Sequence, residues 1–149
     1  MIEKSIILIP TLHEKDNLEK LIPAIFNLMA DVSILVVDDE DALRTVLSAE
    51  LNSEGYDVGT AADGVEALAE LQKKNYDLAL LDIKMPNMNG FEVLKVIKEK
   101  YAGTKVIMLT GFADLKNAIE SKKLGAEDFV SKPYDLVDLL TTIDRVMSD

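Results

Sequence analysis

Five residues of this sequence have types and spacing that could do chemistry together. Asp38 and Asp39 are adjacent, Asp82 follows an apolar run, Thr110 precedes Gly111, and Lys132 precedes Pro133. Carboxylates crowded together repel one another, which raises their pKa values unless a cation intervenes. A hard, oxygen-seeking cation relieves that repulsion, and Mg2+ typically takes one or two carboxylates beside several waters. An aspartate titrates near ~4 and is already ionised at neutral pH. Asp82 can therefore attack phosphorus without a general base and form an aspartyl phosphate. Thr110 offers a hydroxyl donor, Gly111 leaves room for phosphoryl oxygens, and Lys132 supplies a point charge. Singly, each has a plainer reading: an Asp-Asp pair caps a following helix, and a strand-end lysine is a solvated charge. Together they favour a metal-assisted phosphoryl site. A Ser-His-Asp triad is excluded, because the lone histidine, His13, lies far from this set.

Short apolar runs must position these residues. Strands are expected at 33–37, 57–61, 77–81, 105–109 and 127–130. Three contain unbroken apolar stretches, Ile34-Leu35-Val36-Val37, Leu78-Ala79-Leu80-Leu81 and Val106-Ile107-Met108-Leu109. Such strands are covered on both faces, as in a parallel sheet. The weaker run at 57–61 fits an edge strand. Helical spacing follows each strand: Leu43, Val46, Leu47 and Leu51; Val65, Leu68 and Leu71; Phe91, Leu94 and Ile97; and Leu136, Leu140, Ile143 and Met147. The stretch 112–124 is helical but polar, with Leu115, Ala118 and Ile119 as a thin apolar stripe. Gly55, Gly103 and Gly125 stand where helices should stop. Five strand-helix units with right-handed crossovers give an α/β, doubly wound sheet. All five candidate residues then fall at the carboxyl ends of strands, the edge where open α/β sheets bind ligands.

The totals agree with that picture. A chain of 149 residues fits one domain with a short addition, and 48% apolar content suffices for a core. A net charge of −11 repels a phosphate backbone and an anionic bilayer, so neither nucleic acid nor membrane is expected as a partner. The absence of cysteine removes disulfides and thiolate sites and fits a cytoplasmic setting. No signal-peptide pattern opens the chain, and no apolar run reaches the ~18 residues of a membrane span.

From residue 33 to 149 the chain resembles the response-regulator receiver family of two-component signalling. The matching blocks are Val36-Val37-Asp38-Asp39-Glu40, Ala61 to Leu68, Asp77 to Pro86, Asn89-Gly90, Thr110-Gly111 and Lys132-Pro133. The resemblance implies a flavodoxin-like, five-stranded parallel sheet of order 2-1-3-4-5. It implies that Asp82 is the phosphoacceptor, receiving its phosphoryl group from a histidine kinase or phosphotransfer protein. Asp39 and Asp82 would bind Mg2+ directly with the backbone carbonyl of Lys84, and Asp38 would act mainly through water. Thr110 and Lys132 would contact the phosphoryl group. Thr110 and the aromatic Phe129, three positions before the lysine, would switch state on phosphorylation and alter a face read by a downstream protein. The Lys132–Pro133 bond is expected to be cis. Such a domain assists its own phosphorylation and dephosphorylation but is not an enzyme.

Residues 1–32 stand outside that pattern as an N-terminal strand-helix extension. A strand is expected at 5–9, and Leu18, Leu21, Ile22, Ile25, Phe26 and Met29 mark an amphipathic helix that Pro23 kinks or starts later. Ile6 to Leu18, with the strand reaching Asp38-Asp39, is similar to the opening of family-2 glycosyltransferases of the dolichol-phosphate mannosyltransferase kind. Their later motifs are missing, so transferase activity is not expected. An unpaired apolar strand is an aggregation hazard, so the strand at 5–9 is expected to pair with an exposed sheet edge or to swap onto a second chain, its helix contributing to a homodimer through residues 1–32. The alternatives are a glycosyltransferase fragment and an unphosphorylated receiver serving as an assembly module. A haloacid-dehalogenase-type phosphatase would need an acid where Lys84 stands.

Overall fold

The computed structural model describes residues 32–111 and 115–148. The expected strand at 5–9, the helix stripe from Leu18 to Met29, His13, the homodimer and the transferase-like opening lie outside the described residues, as does the extension itself apart from Val32. Five strands, β1 (Ser33–Val37), β2 (Asp57–Ala61), β3 (Leu78–Asp82), β4 (Lys105–Gly111) and β5 (Asp128–Lys132), alternate with five helices. These are α1 (Asp41–Ser53), α2 (Gly64–Lys73), α3 (Gly90–Lys100), α4 (Leu115–Lys123) and α5 (Leu136–Ser148). All strand pairs are parallel, in the order β2-β1-β3-β4-β5. This is the doubly wound, flavodoxin-like sheet the sequence predicts.

Alternation along each strand divides the core between the two faces of the sheet. Leu35, Val37, Ala79, Leu81, Val106 and Met108 point toward Ala67 and Leu71 of α2 and Val93, Leu94 and Ile97 of α3. Ile34, Val36, Leu78, Leu80, Ile107 and Leu109 point toward Leu47 and Leu51 of α1 and Leu139, Ile143 and Val146 of α5. Both faces of β1, β3 and the centre of β4 are buried, which explains their unbroken apolar runs. Edge strand β2 buries only Ala61. In α4 the expected stripe is thinner still: Ala118 is buried but Ile119 is 49% exposed.

Three strands differ in extent from the expectation. β3 begins at Leu78 because Asp77 is held beside it, its carboxylate accepting from the Ser33 N–H at 2.8 Å. β5 begins one residue later than expected because Glu127 turns its carboxylate to the Val106 N–H at 2.7 Å and to Lys98 at 3.0 Å. β4 and β5 both run further, pairing Thr110 with Ser131 and Gly111 with Lys132. Polar residues at those ends hide the strand from a hydrophobicity reading, yet the ladder continues. The helix expected from 112 is described from Leu115. Gly55 and Gly125 adopt the left-handed turn that ends a helix, with φ of 99° and 98°. Gly103 does not, and α3 ends instead at Tyr101, whose N–H bonds to the Ile97 carbonyl. The Lys132–Pro133 peptide is cis.

Candidate functional site

The strand register brings the polar residues to one edge. β1 lies between β2 and β3, so Asp38, the first residue past β1, sits beside the end of β3, where Asp82 is the last strand residue. Asp38 is 1% exposed and Asp82 7%, whereas Asp39 is exposed. Carboxylate oxygens of Asp38, Asp39 and Asp82 all lie within 4.8 Å of one another. That separation suits one shared cation. Three hard oxygen donors with no nitrogen or sulfur ligand fit Mg2+ or a similar ion.

Lys132 closes the other side. Its Nζ donates to Asp38 Oδ2 at 2.6 Å and stands 3.6 Å from Asp82 Oδ1. The lysine thus spans two strand ends, β1 and β3, from a third, β5. Burial pulls its pKa down, but the Asp38 hydrogen bond and the charges of Asp82, Asp38 and Glu40 win, and the net shift is upward. It is firmly a cation. Asp38 is held further by the Glu40 N–H, which donates to its Oδ1 at 2.9 Å, and its carbonyl accepts from Arg44 at 2.6 Å. Arg44 also pairs with Asp41.

Asp82 behaves differently. Burial raises its pKa to about 6, Lys132 opposes the rise, and the charges of Asp38 and Asp39 add to it. A carboxylate in this state lacks enough positive charge nearby, which is the condition a bound divalent cation would relieve.

The loop after Asp82 is shaped by close packing. A Cβ on Gly90 would stand 2.3 Å from the Asp82 carbonyl oxygen, so only glycine lets α3 begin so near the acid. The Gly90 N–H donates to the Ile83 carbonyl at 2.9 Å, and Asn87 takes a left-handed φ of 71°. Asn89 and Glu92 form a reciprocal capping box at the start of α3. Lys84 lies in this loop with its side chain exposed.

Thr110 is 1% exposed, its hydroxyl 3.4 Å from the Gly111 carbonyl, and among the described residues a Cβ on Gly111 would meet nothing within 4 Å. Phe129 is half-buried, in register with Met108 and packed on the α2/α3 side of the core. A cavity of about 370 Å3 adjoins the site, lined by Glu40, Leu43, Gly111, Lys132, Pro133 and Tyr134. The Tyr134 hydroxyl is buried without a hydrogen-bond partner, and its pKa is raised to about 12, mainly by burial and then by Asp38. The residue types gave no warning of two features: the tight Lys132–Asp38 contact, which needs the three-dimensional register, and the orphaned tyrosine.

Known proteins match the chain over this same region. The response regulator receiver domain family matches residues 34–144. Sporulation initiation phosphotransferase F of Bacillus subtilis is 37% identical over 119 residues, spanning 80% of this chain and 96% of that protein. Transcriptional regulatory protein ZraR of Salmonella typhimurium is also 37% identical, but the match covers only 26% of its length. Among solved structures, a CheY-like receiver domain protein from Methanospirillum hungatei superposes with a TM-score of 0.75 at 38% identity, covering 78% of this chain and 94% of that one. Chemotaxis response regulator CheY4 of Vibrio cholerae gives 0.73 at 39% identity over 77% and 98%. The similarity of the opening residues to glycosyltransferases gains no support from these comparisons. Over its described sheet and five helices, the chain belongs to the response regulator receiver domain family of two-component systems.

Proposed function

We propose that Asp82 accepts a phosphoryl group from a phosphohistidine on a histidine kinase or phosphotransfer protein, in the cytoplasm. One observation carries this reading: three carboxylates within 4.8 Å of one another meet a lysine cation at a single sheet edge. An Asp82 oxygen attacks phosphorus as the phosphorus–nitrogen bond to the donor imidazole breaks, leaving an aspartyl phosphate. Asp38, Asp39 and Asp82, with the backbone carbonyl of Lys84, would hold Mg2+, which supplies neutralising charge for the phosphoryl oxygens when bound. Lys132 lies close enough to Asp82 to exchange its Asp38 contact for one with a new phosphoryl oxygen. Thr110 donates its hydroxyl to the phosphoryl group from the adjoining strand end, with space above Gly111 to receive it.

The new charge then biases the Thr110 end of β4, α4 and Phe129 between two arrangements. Among the described side chains of α4, Ile119 is exposed and only the small Ala118 and Ser121 are buried, which suits a movable element. A downstream protein reads the altered face. In domain terms, residues 33–149 form the receiver and 1–32 an appended segment. The test is incubation with a small phosphodonor and Mg2+, followed by intact mass. A gain of one phosphoryl group is expected, and Asp82→Asn should abolish it. An equal gain in that variant would overturn the reading.

A further inference from the structure

The turn from β1 into α1 carries two of the three clustered acids, and the two are held very differently. Asp38 is gripped from four directions. Its N–H donates to the Ala61 carbonyl at 3.2 Å, its Oδ1 accepts from the Glu40 N–H at 2.9 Å, its Oδ2 accepts from Lys132 at 2.6 Å, and its carbonyl accepts from Arg44 at 2.6 Å. Asp39 is exposed, and among the described residues no hydrogen bond or ion pair holds its side chain. A side-chain cap does not steady the turn either, because Glu40 stands at the N-cap position of α1 and makes no capping bond.

Asp39 therefore takes its direction from the main chain. The Asp38 carbonyl and the Asp39 N–H belong to one planar peptide unit. A donor that fixes the carbonyl fixes that plane, and with it the bond from which Asp39 extends. Arg44 is that donor. Its own N–H bonds to the Glu40 carbonyl at 3.0 Å, so the first turn of α1 anchors it. Its side chain is only 17% exposed, whereas Asp41, which meets the other arm of the guanidinium, is 87% exposed. An ion pair with so open an acid is screened and contributes little. The contact that orders the turn is the one with the Asp38 carbonyl.

The geometry points to Arg44 as a positioning residue of the cation site: by clamping the Asp38 carbonyl, it aims the Asp39 carboxylate at the cation shared with Asp82. The assignment rests on the reading of Asp38, Asp39 and Asp82 as a Mg2+ site. Mg2+ demands near-octahedral geometry and short oxygen contacts, so a carboxylate that rotates away is lost as a ligand. Simple charge attraction gives the opposite expectation. Arg44 is a cation beside a cluster of acids, and removing it would strengthen their pull on Mg2+. The sign of the change in affinity separates the two effects.

The full chain is titrated with Mg2+ by isothermal calorimetry at pH 7 and fixed ionic strength, the parent beside three variants. Arg44→Met keeps the length of the side chain and loses its donors. It should weaken Mg2+ binding by about tenfold, the usual effect of removing a group that orients a ligand. Arg44→Lys keeps the charge without the planar fork and should also bind severalfold more weakly. It carries the same comparison should Arg44→Met fail to fold. Asp41→Asn should stay within about twofold of the parent. Amide exchange without Mg2+ gives a second readout. The N–H groups of Asp39 and Glu40 should exchange faster in Arg44→Met, while those of β3 keep the parent's rates. Mg2+ binding in Arg44→Met and Arg44→Lys as tight as in the parent, or tighter, would overturn the proposal. So would exchange that quickens equally across the whole sheet, since it would mark a general loss of stability. A parent chain that binds no Mg2+ would overturn the metal-site reading itself, and the role of Arg44 with it.

Discussion

At the scale of single residues, Asp82 and Lys132 hold opposite positions on the same balance. The folded domain binds the Asp82 proton more tightly than an unfolded chain does, with a pKa of about 6 against the usual ~3.9. Ionising the residue therefore costs folding free energy. The cost is absent below about pH 4, grows toward pH 6 and is complete above it. Without divalent cations at pH 7, Asp82→Asn should stabilise the domain by about 1–3 kcal/mol in urea denaturation, and the gain should vanish by pH 4. A variant no more stable than the parent at neutral pH would mean that the site already balances its charges. Lys132 supplies part of that balance, but its shortest contact is with Asp38 rather than with the proposed phosphoacceptor. The sequence named all these residues by type and order. It could not show which carboxylate the lysine holds, because that depends on a register across three strands.

At the scale of elements, glycine placement separates folding from chemistry. Gly90→Ala drives a Cβ into the Asp82 carbonyl, a backbone atom that cannot rotate away. It should cost about 2–4 kcal/mol in thermal or urea unfolding and slow phosphorylation as well. Among the described residues, Gly111→Ala meets nothing within 4 Å. It should leave stability within about 0.5 kcal/mol yet slow phosphorylation severalfold, because the added methyl occupies space for the incoming group. Equal stability losses would contradict this assignment of the two positions. The legibility of the elements follows the same physics. β1, β3 and the centre of β4 announce themselves because both their faces are buried. The ends of β4 and β5 do not, because Thr110, Gly111, Ser131 and Lys132 interrupt the apolar run while the ladder continues. Glu127 reads as part of a strand but is spent on Lys98 and the Val106 N–H.

At the scale of the whole molecule, a chain of net charge −11 concentrates three carboxylates at one sheet edge. A cation that binds only the folded form stabilises it by mass action, by about 2.7 kcal/mol at a hundredfold excess over Kd. Mg2+ should therefore raise the melting temperature by several degrees, and a chelator should reverse the rise. Asp82→Asn should lose most of that response. A Mg2+ effect of the same size in the variant would assign it to general screening of the acidic surface. Among the described residues, no helix is long and apolar enough to cross a membrane. The two-sided core explains why the central strands were readable from apolar runs, while the strand order came from the family resemblance; the switch proposed for Thr110 and Phe129 concerns a second arrangement that no single sequence pattern encodes.

The account depends most on where the phosphoryl group becomes attached. After phosphorylation by a small donor with Mg2+, borohydride reduces an aspartyl phosphate to homoserine, and tryptic peptide sequencing locates the change. The predicted result is homoserine at position 82, within the peptide from Asn75 to Lys84. Homoserine at position 38 or 39, or a phosphoryl group on a hydroxyl that borohydride leaves untouched, would contradict it.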